Sequence, residues 1–212
     1  MNINNQLDSL YSRYQNPDVQ FVKGGVIDEN TYTTSSPKIL LLLKEVNDPD
    51  SKENWSLVDH INDQIDKVKF TSTWKNAGMW SFAVQNSFEH YETARALINI
   101  ECGLRALATT NLKKSGGKSV SNYDEIKQHA INYKDLWTSE IDIIKPDVVI
   151  CGGTYSIVQE ILQFENLICK AGTSFGHALG TTFIDFYHPA YMVSPKMLYA
   201  YFKEIMQSLG YV

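Results

Sequence analysis

Four short runs of apolar residues, each ending abruptly in polar or glycine positions, constrain this chain more than any other feature. Ile39 to Leu43 runs into Lys44-Glu45-Val46-Asn47-Asp48, Ala106 to Thr110 runs into Asn111, and Val148 to Cys151 runs into Gly152-Gly153. The fourth, Phe183-Ile184-Asp185-Phe186-Tyr187, delivers His188-Pro189-Ala190-Tyr191. Runs that are apolar nearly throughout, rather than alternating, are what strands buried on both faces require, and helical patterns fill the intervals between them. The expected fold is α/β: a three-layer α/β/α sandwich around a four-stranded parallel sheet with right-handed crossovers. Ligands bind beyond the carboxyl ends of such strands, so the four polar ends are expected to converge on one site.

The helical signals vary in clarity. Residues 3 to 15 read as a short helix, followed by an irregular approach from Lys23 to Pro37. Between 50 and 86 the pattern is mixed and aromatic-rich, and it places no helix. Ser87 to Gly103 reads as one helix, with Ser87 as N-cap and Gly103 as its stop. Asn122 opens another, with Glu125 three residues on as in a capping box, and Ile126, Ala130, Tyr133, Trp137, Ile141 and Ile144 continue it to Pro146. Thr154 to about Phe164 and a last helix from Ser194-Pro195, with Leu198, Phe202, Ile205 and Leu209 inward and Gly210 closing it, complete the pattern.

A chain of 212 residues suits one domain over 1–212 with a core that needs no staples. Its three cysteines, Cys102, Cys151 and Cys169, are odd in number and lack CxxC spacing, so reduced thiols in a cytoplasmic protein are expected, with no structural zinc and no iron-sulfur cluster. No apolar run approaches the length of a membrane span, and the N-terminus lacks a leader pattern, so no membrane partner is expected. A net charge of -5 argues against coating nucleic acid through a general positive field. Lys113, Lys114 and Lys118 form the densest local candidate for phosphate contact.

At the strand ends, Glu45, Asn111 and His188 supply a carboxylate, a bidentate amide and an imidazole. Four segments carry a resemblance: Leu43-Lys44-Glu45-Val46-Asn47, Ala108-Thr109-Thr110-Asn111-Leu112, Lys145 to Gly153, and Tyr187-His188-Pro189-Ala190. With these segments the chain resembles the uracil-DNA glycosylase superfamily, and the last is the most specific. The iron-sulfur branch has a first motif reading Gly-Glu-Ala-Pro-Gly; here Lys44 and Asp48 stand at its glycines and Asn47 at its proline, and the four cluster cysteines have no counterparts. The chain thus looks like a divergent, cofactor-free member.

The resemblance implies a uracil-DNA glycosylase-like domain that hydrolyses the N-glycosidic bond of a damaged or modified base, uracil or similar, flipped from DNA. Asn111 matches the residue that reads the pyrimidine edge. The chemistry itself calls for a carboxylate near an oxocarbenium-like sugar and a donor near the departing base. Glu45 fits the first role and His188 the second, as catalytic residues. Asn111 and Asn47 are expected to bind substrate, with Trp80 or Phe82 as the ring on which an extruded base stacks. Lys113, Lys114 and Lys118 are the expected DNA contacts, and the resemblance implies a wedge at Tyr191 or Met192.

Other readings stay open. The fold is also compatible with a catalytically inactive nucleic-acid or nucleotide-binding module, and the partner is then DNA or a nucleoside-like ligand without metal. Gly117-Lys118-Ser119 has the context of a P-loop, yet Leu112 stands where that motif needs its first glycine. Gly172-Thr173-Ser174-Phe175-Gly176 matches a nucleophile elbow followed by Asp185 and His188, but the next strand arrives too soon for the required helix.

Overall fold

In the computed structural model, residues 2–16, 19–50 and 52–211 are described. In chain order the elements are α1 (Ile3–Tyr11), β1 (Val22–Lys23), β2 (Gly25–Val26), α2 (Glu29–Thr34), β3 (Ile39–Leu43), β4 (Val46–Asn47), β5 (Trp55–Ser56), α3 (Leu57–Asp66) and α4 (Ser72–Gln85). Then follow α5 (Tyr91–Ala94), α6 (Leu97–Arg105), β6 (Leu107–Asn111), β7 (Gly116–Gly117), α7 (Tyr123–Asn132), α8 (Lys134–Ile144) and β8 (Val148–Gly152). The chain ends with α9 (Tyr155–Leu162), β9 (Leu167–Ile168), β10 (Ser174–Ala178), β11 (Thr181–Phe186) and α10 (Pro195–Ser208).

The four apolar runs are β3, β6, β8 and β11, and they lie side by side in the order β6-β3-β8-β11, parallel throughout. The sheet has seven strands, however, not the four expected: β2 pairs antiparallel with β6 at one edge, and β10 and β9 add antiparallel strands beyond β11. Parallel pairing is confined to the middle. Alternate strand residues separate into two cores, as the period of a strand requires. Ile39, Leu41, Leu43, Ile150 and Ile184 pack with α3, α4, α6 and α10 on one face, while Leu40, Leu42, Val149, Cys151 and Phe183 pack with α1, α7, α8 and α9 on the other.

Two helical expectations need correction. Ser87 caps no long helix: Ser87 and Phe88 take positive φ, and the segment breaks into α5 and α6. Gly103 lies inside α6 rather than ending it, because a side chain there would overlap the Gly78 carbonyl of α4. That close helix crossing is what the glycine permits. Likewise the run from Asn122 to Pro146 is two helices, interrupted at Tyr133, where φ is -113°. The Asn122 side chain does accept hydrogen bonds from the Asp124 and Glu125 amides, but Glu125 turns its carboxylate to Lys113 instead of closing a capping box.

The 50–86 stretch contains α3 and the whole of α4, which is buried around much of its circumference, including Trp74, Asn76, Met79, Trp80 and Val84. No helix of the described residues is long and apolar enough to cross a membrane.

Candidate functional site

Beyond the carboxyl ends of the central strands lies a cleft of about 1070 Å³, lined by Glu45, Asn111 and His188 together with Asn47, Trp55 and Lys118 among others. The sheet register explains the meeting. Leu43 pairs with Asn111, and Phe186 pairs with Gly152, so the residues just past these positions leave the sheet at adjoining points. At Gly152 a side chain would crowd the terminal methyl of Leu43.

Two loops are laced together at this end. Lys113 N–H donates to the Lys44 carbonyl at 2.9 Å, β4 pairs with β7, and Asp48 N–H donates to the Gly117 carbonyl at 3.1 Å. The Gln20 amide clamps the same junction: its NH2 donates to Asp48 at 2.8 Å and its oxygen accepts from Gly116 N–H at 2.6 Å. The loop that carries Glu45 and the loop that follows Asn111 therefore behave as one unit.

Glu45 is deeply set, with its side chain only 4% exposed, and its Oε2 accepts from the Lys113 ammonium at 2.7 Å. Lys113 also reaches Glu125 at 2.6 Å and the Gly116 carbonyl at 3.2 Å. Burial pulls the Lys113 ammonium down, but its hydrogen bonds to Glu125 and Glu45 outweigh that and hold its pKa above the ordinary lysine value. A buried carboxylate needs such a partner, because desolvating an unpaired charge costs several kcal/mol, on the order estimated for single ions. Gly117 packs directly on the carboxyl group, and any side chain there would overlap it.

Asn111 is 2% exposed, and neither its Nδ2 nor its Oδ1 has a hydrogen-bond partner among the described residues. Buried amides are nearly always satisfied, and leaving one unmade costs about 1–3 kcal/mol per group. An amide in that state lining a cleft is set up to donate to and accept from something that enters it.

His188 has a defined tautomer. Its Nδ1 accepts from Ala190 N–H at 3.1 Å, so the proton of the neutral ring sits on Nε2 as a donor. Burial and the nearby Lys44 ammonium both push the imidazole below the ordinary histidine range, which keeps it neutral near pH 7. The turn that follows is pinned from α4: the Asn76 side chain donates to the Pro189 carbonyl at 2.6 Å.

The aromatic wall is not the one expected. Trp80 is 1% exposed in the core, with its ring 5.0 Å from Phe186 and 5.7 Å from Phe202, and Phe82 packs against the same core; neither lines the cleft. Trp55 does line it, held by the pairing of β1 with β5 and by its Nε1 donating to Asp48 at 3.0 Å, with its ring 5.6 Å from that of His60.

The lysine patch also needs correction. Lys113 and Lys114 are 5% and 6% exposed, and Lys114 turns to the other side of the sheet, where Glu140 accepts from it at 2.5 and 2.7 Å. Glu140 is fully buried and also accepts from Tyr11 and Thr110. Of the three lysines only Lys118 is exposed, on the cleft rim. Asn47 is exposed and lines the cleft; Tyr191 and Met192 are exposed at 54% and 98%, with Tyr191 in a neighbouring groove that shares Lys44 and His188.

Ser174 opens strand β10 instead of turning into a helix, and the Nδ1 of His188 is occupied by Ala190, so the geometry of a nucleophile elbow is not formed. Cys102, Cys151 and Cys169 are free thiols. Among the described residues no group of three or more His, Cys, Asp or Glu side chains is arranged to hold a metal. A scan against protein-family models finds no match to this chain, and a search of curated proteins finds no significant match.

Proposed function

We propose that the cleft takes a planar base, uracil or a similar one, and hydrolyses its N-glycosidic bond, the base being carried by DNA or by a related nucleoside. The observation that carries this reading is the unpartnered, buried amide of Asn111 in a cleft shared with Glu45 and His188. In this reading Asn111 donates to and accepts from one edge of the base, and Trp55 offers its indole as a wall. As the C1′–N bond breaks, the bonding pair leaves with the base and Nε2–H of His188 donates to its carbonyl oxygen. Water oxygen bonds to C1′, its proton passing to Glu45, whose carboxylate also stabilises the cationic sugar. The resemblance at Tyr187-His188-Pro189-Ala190 and the position of that segment beside the cleft support the same assignment.

One observation favours a second reading, binding without hydrolysis. The Glu45 carboxylate is committed to Lys113, which makes it a poorer acceptor for a proton from water. Incubation with oligonucleotides and nucleosides carrying uracil, hypoxanthine, xanthine or an alkylated base separates the two: release of free base supports hydrolysis, and saturable binding with no base released supports the second reading.

A further inference from the structure

Resting on the reading that this cleft breaks the bond to a base, we infer that Lys44 is a further catalytic residue, its ammonium standing beside the departing base and balancing the negative charge that the base acquires. The sheet fixes its place. Lys44 follows directly on Leu43, the last residue of β3, and its carbonyl accepts from Lys113 N–H at 2.9 Å, so the backbone is held where the side chain leaves the sheet. That side chain lines both the cleft that contains Asn111 and the neighbouring groove of Tyr187 and Tyr191, with His188 common to the two. The end of β8 borders both groups. Gly152 lies beside the His188 backbone, where a methyl group would stand 3.6 Å from Cα, and Gly153 lies beside the Lys44 stem, where one would stand 4.0 Å from Cε.

Lys44 is half-buried, and among the described residues its ammonium has no ion pair and no hydrogen bond. Its neighbours differ: Lys113 is held by Glu45 and Glu125, and Lys114 by Glu140. Lys44 can therefore face a ligand without leaving a carboxylate. His188 cannot supply a full positive charge there. Burial and Lys44 itself keep the ring neutral, so Nε2–H donates a hydrogen bond only. A base that leaves with the bonding pair carries one negative charge, and a cation beside it in a partly enclosed cleft counts for more than in bulk water. The two groups divide the task, the imidazole donating to the carbonyl oxygen and the ammonium setting the field. The bonds made and broken are those given above; Lys44 keeps its proton throughout, and the released base takes its own from solvent.

The test uses the full chain and its Lys44→Met, Lys44→Gln and Lys44→Arg variants. Each is given uracil and ring-halogenated uracils, whose more acidic N–H makes them better leaving groups, as nucleosides and within oligonucleotides. Single-turnover base release is followed by chromatography and folding by thermal melts. Lys44→Met and Lys44→Gln are expected to lose about tenfold to a hundredfold in rate with uracil, and progressively less as the base becomes a better leaving group. Both are expected to melt like the natural chain, and Lys44→Arg to keep most of the rate. A loss that is equal for every base, or no loss at all, overturns the assignment of Lys44 and leaves hydrolysis at this cleft standing. No base released from any substrate by the natural chain overturns both.

Discussion

The Lys113 ammonium lies 2.7 Å from the Glu45 carboxylate, and both side chains are nearly inaccessible, so a charge pair is built into the wall of the cleft. Removing one member strands the other. Lys113→Met is expected to destabilise the fold by about 3–5 kcal/mol, the usual result of leaving one buried charge alone. The double variant Lys113→Met with Glu45→Leu is expected to recover most of that loss while remaining inactive. Urea denaturation of the two variants measures this directly.

Gly117 gives the pair its geometry. A methyl group there overlaps the Glu45 carboxyl, and that carboxyl is boxed in by Lys113. Gly117→Ala is expected to expel Glu45 and lower activity or affinity by about tenfold or more, by analogy with loss of a positioned charge-stabilising group. Kinetics and thermal melts of the variant check it, since a purely structural effect lowers stability and leaves the activity of the folded fraction unchanged.

His188 links the site to pH. Its folded pKa lies below the ordinary value of about 6.5, so the unfolded chain binds the proton more readily. The stability it contributes is complete above about pH 6.5 and is lost as pH falls through the folded pKa. Protonation at Nδ1 also breaks the hydrogen bond from Ala190. An NMR titration of the ring is expected to show a midpoint below that of a free histidine, with activity falling over the same range. His188→Ala and Glu45→Gln are each expected to cost on the order of 10²-fold in rate.

Asn76 supports the imidazole from behind through the Pro189 carbonyl. Asn76→Ala is expected to cost about 1–3 kcal/mol in stability, since it leaves that carbonyl unpaired, and to lower kcat more than it raises KM. A raised KM with kcat unchanged would assign Asn76 to binding alone.

The central strands were legible because Ile39–Leu43 and Val148–Gly152 are apolar at every position but the terminal glycine, the mark of burial on both faces. The edges were not. β2 and β9 are two residues long, and β10 reads Ser-Phe-Gly-His-Ala, with neither alternation nor a continuous apolar run. Helix α4 hid for the opposite reason: buried around much of its girth, it shows no apolar stripe.

At the site, Glu45, Asn111 and His188 could be read as strand-end residues, but their surroundings could not. Which aromatic reached the cleft depended on loop pairing distant in sequence, β1 with β5, which brought Trp55 there and left Trp80 in the core. The pairing of Lys113 with Glu45 spans 68 residues and left no local pattern. The Trp55 signal lay in the sequence only as an indole followed by Ser56, the N-cap of α3.

Asn111 tests the account most directly. Replacing its unsatisfied amide with the similarly sized Leu removes a buried polar cost, so Asn111→Leu is expected to melt at the same temperature as the natural chain or higher. Calorimetric titration of a bound nucleoside into both proteins is then the decisive measurement: the account predicts affinity at least about tenfold weaker in the variant, and equal affinity in the two proteins would contradict it.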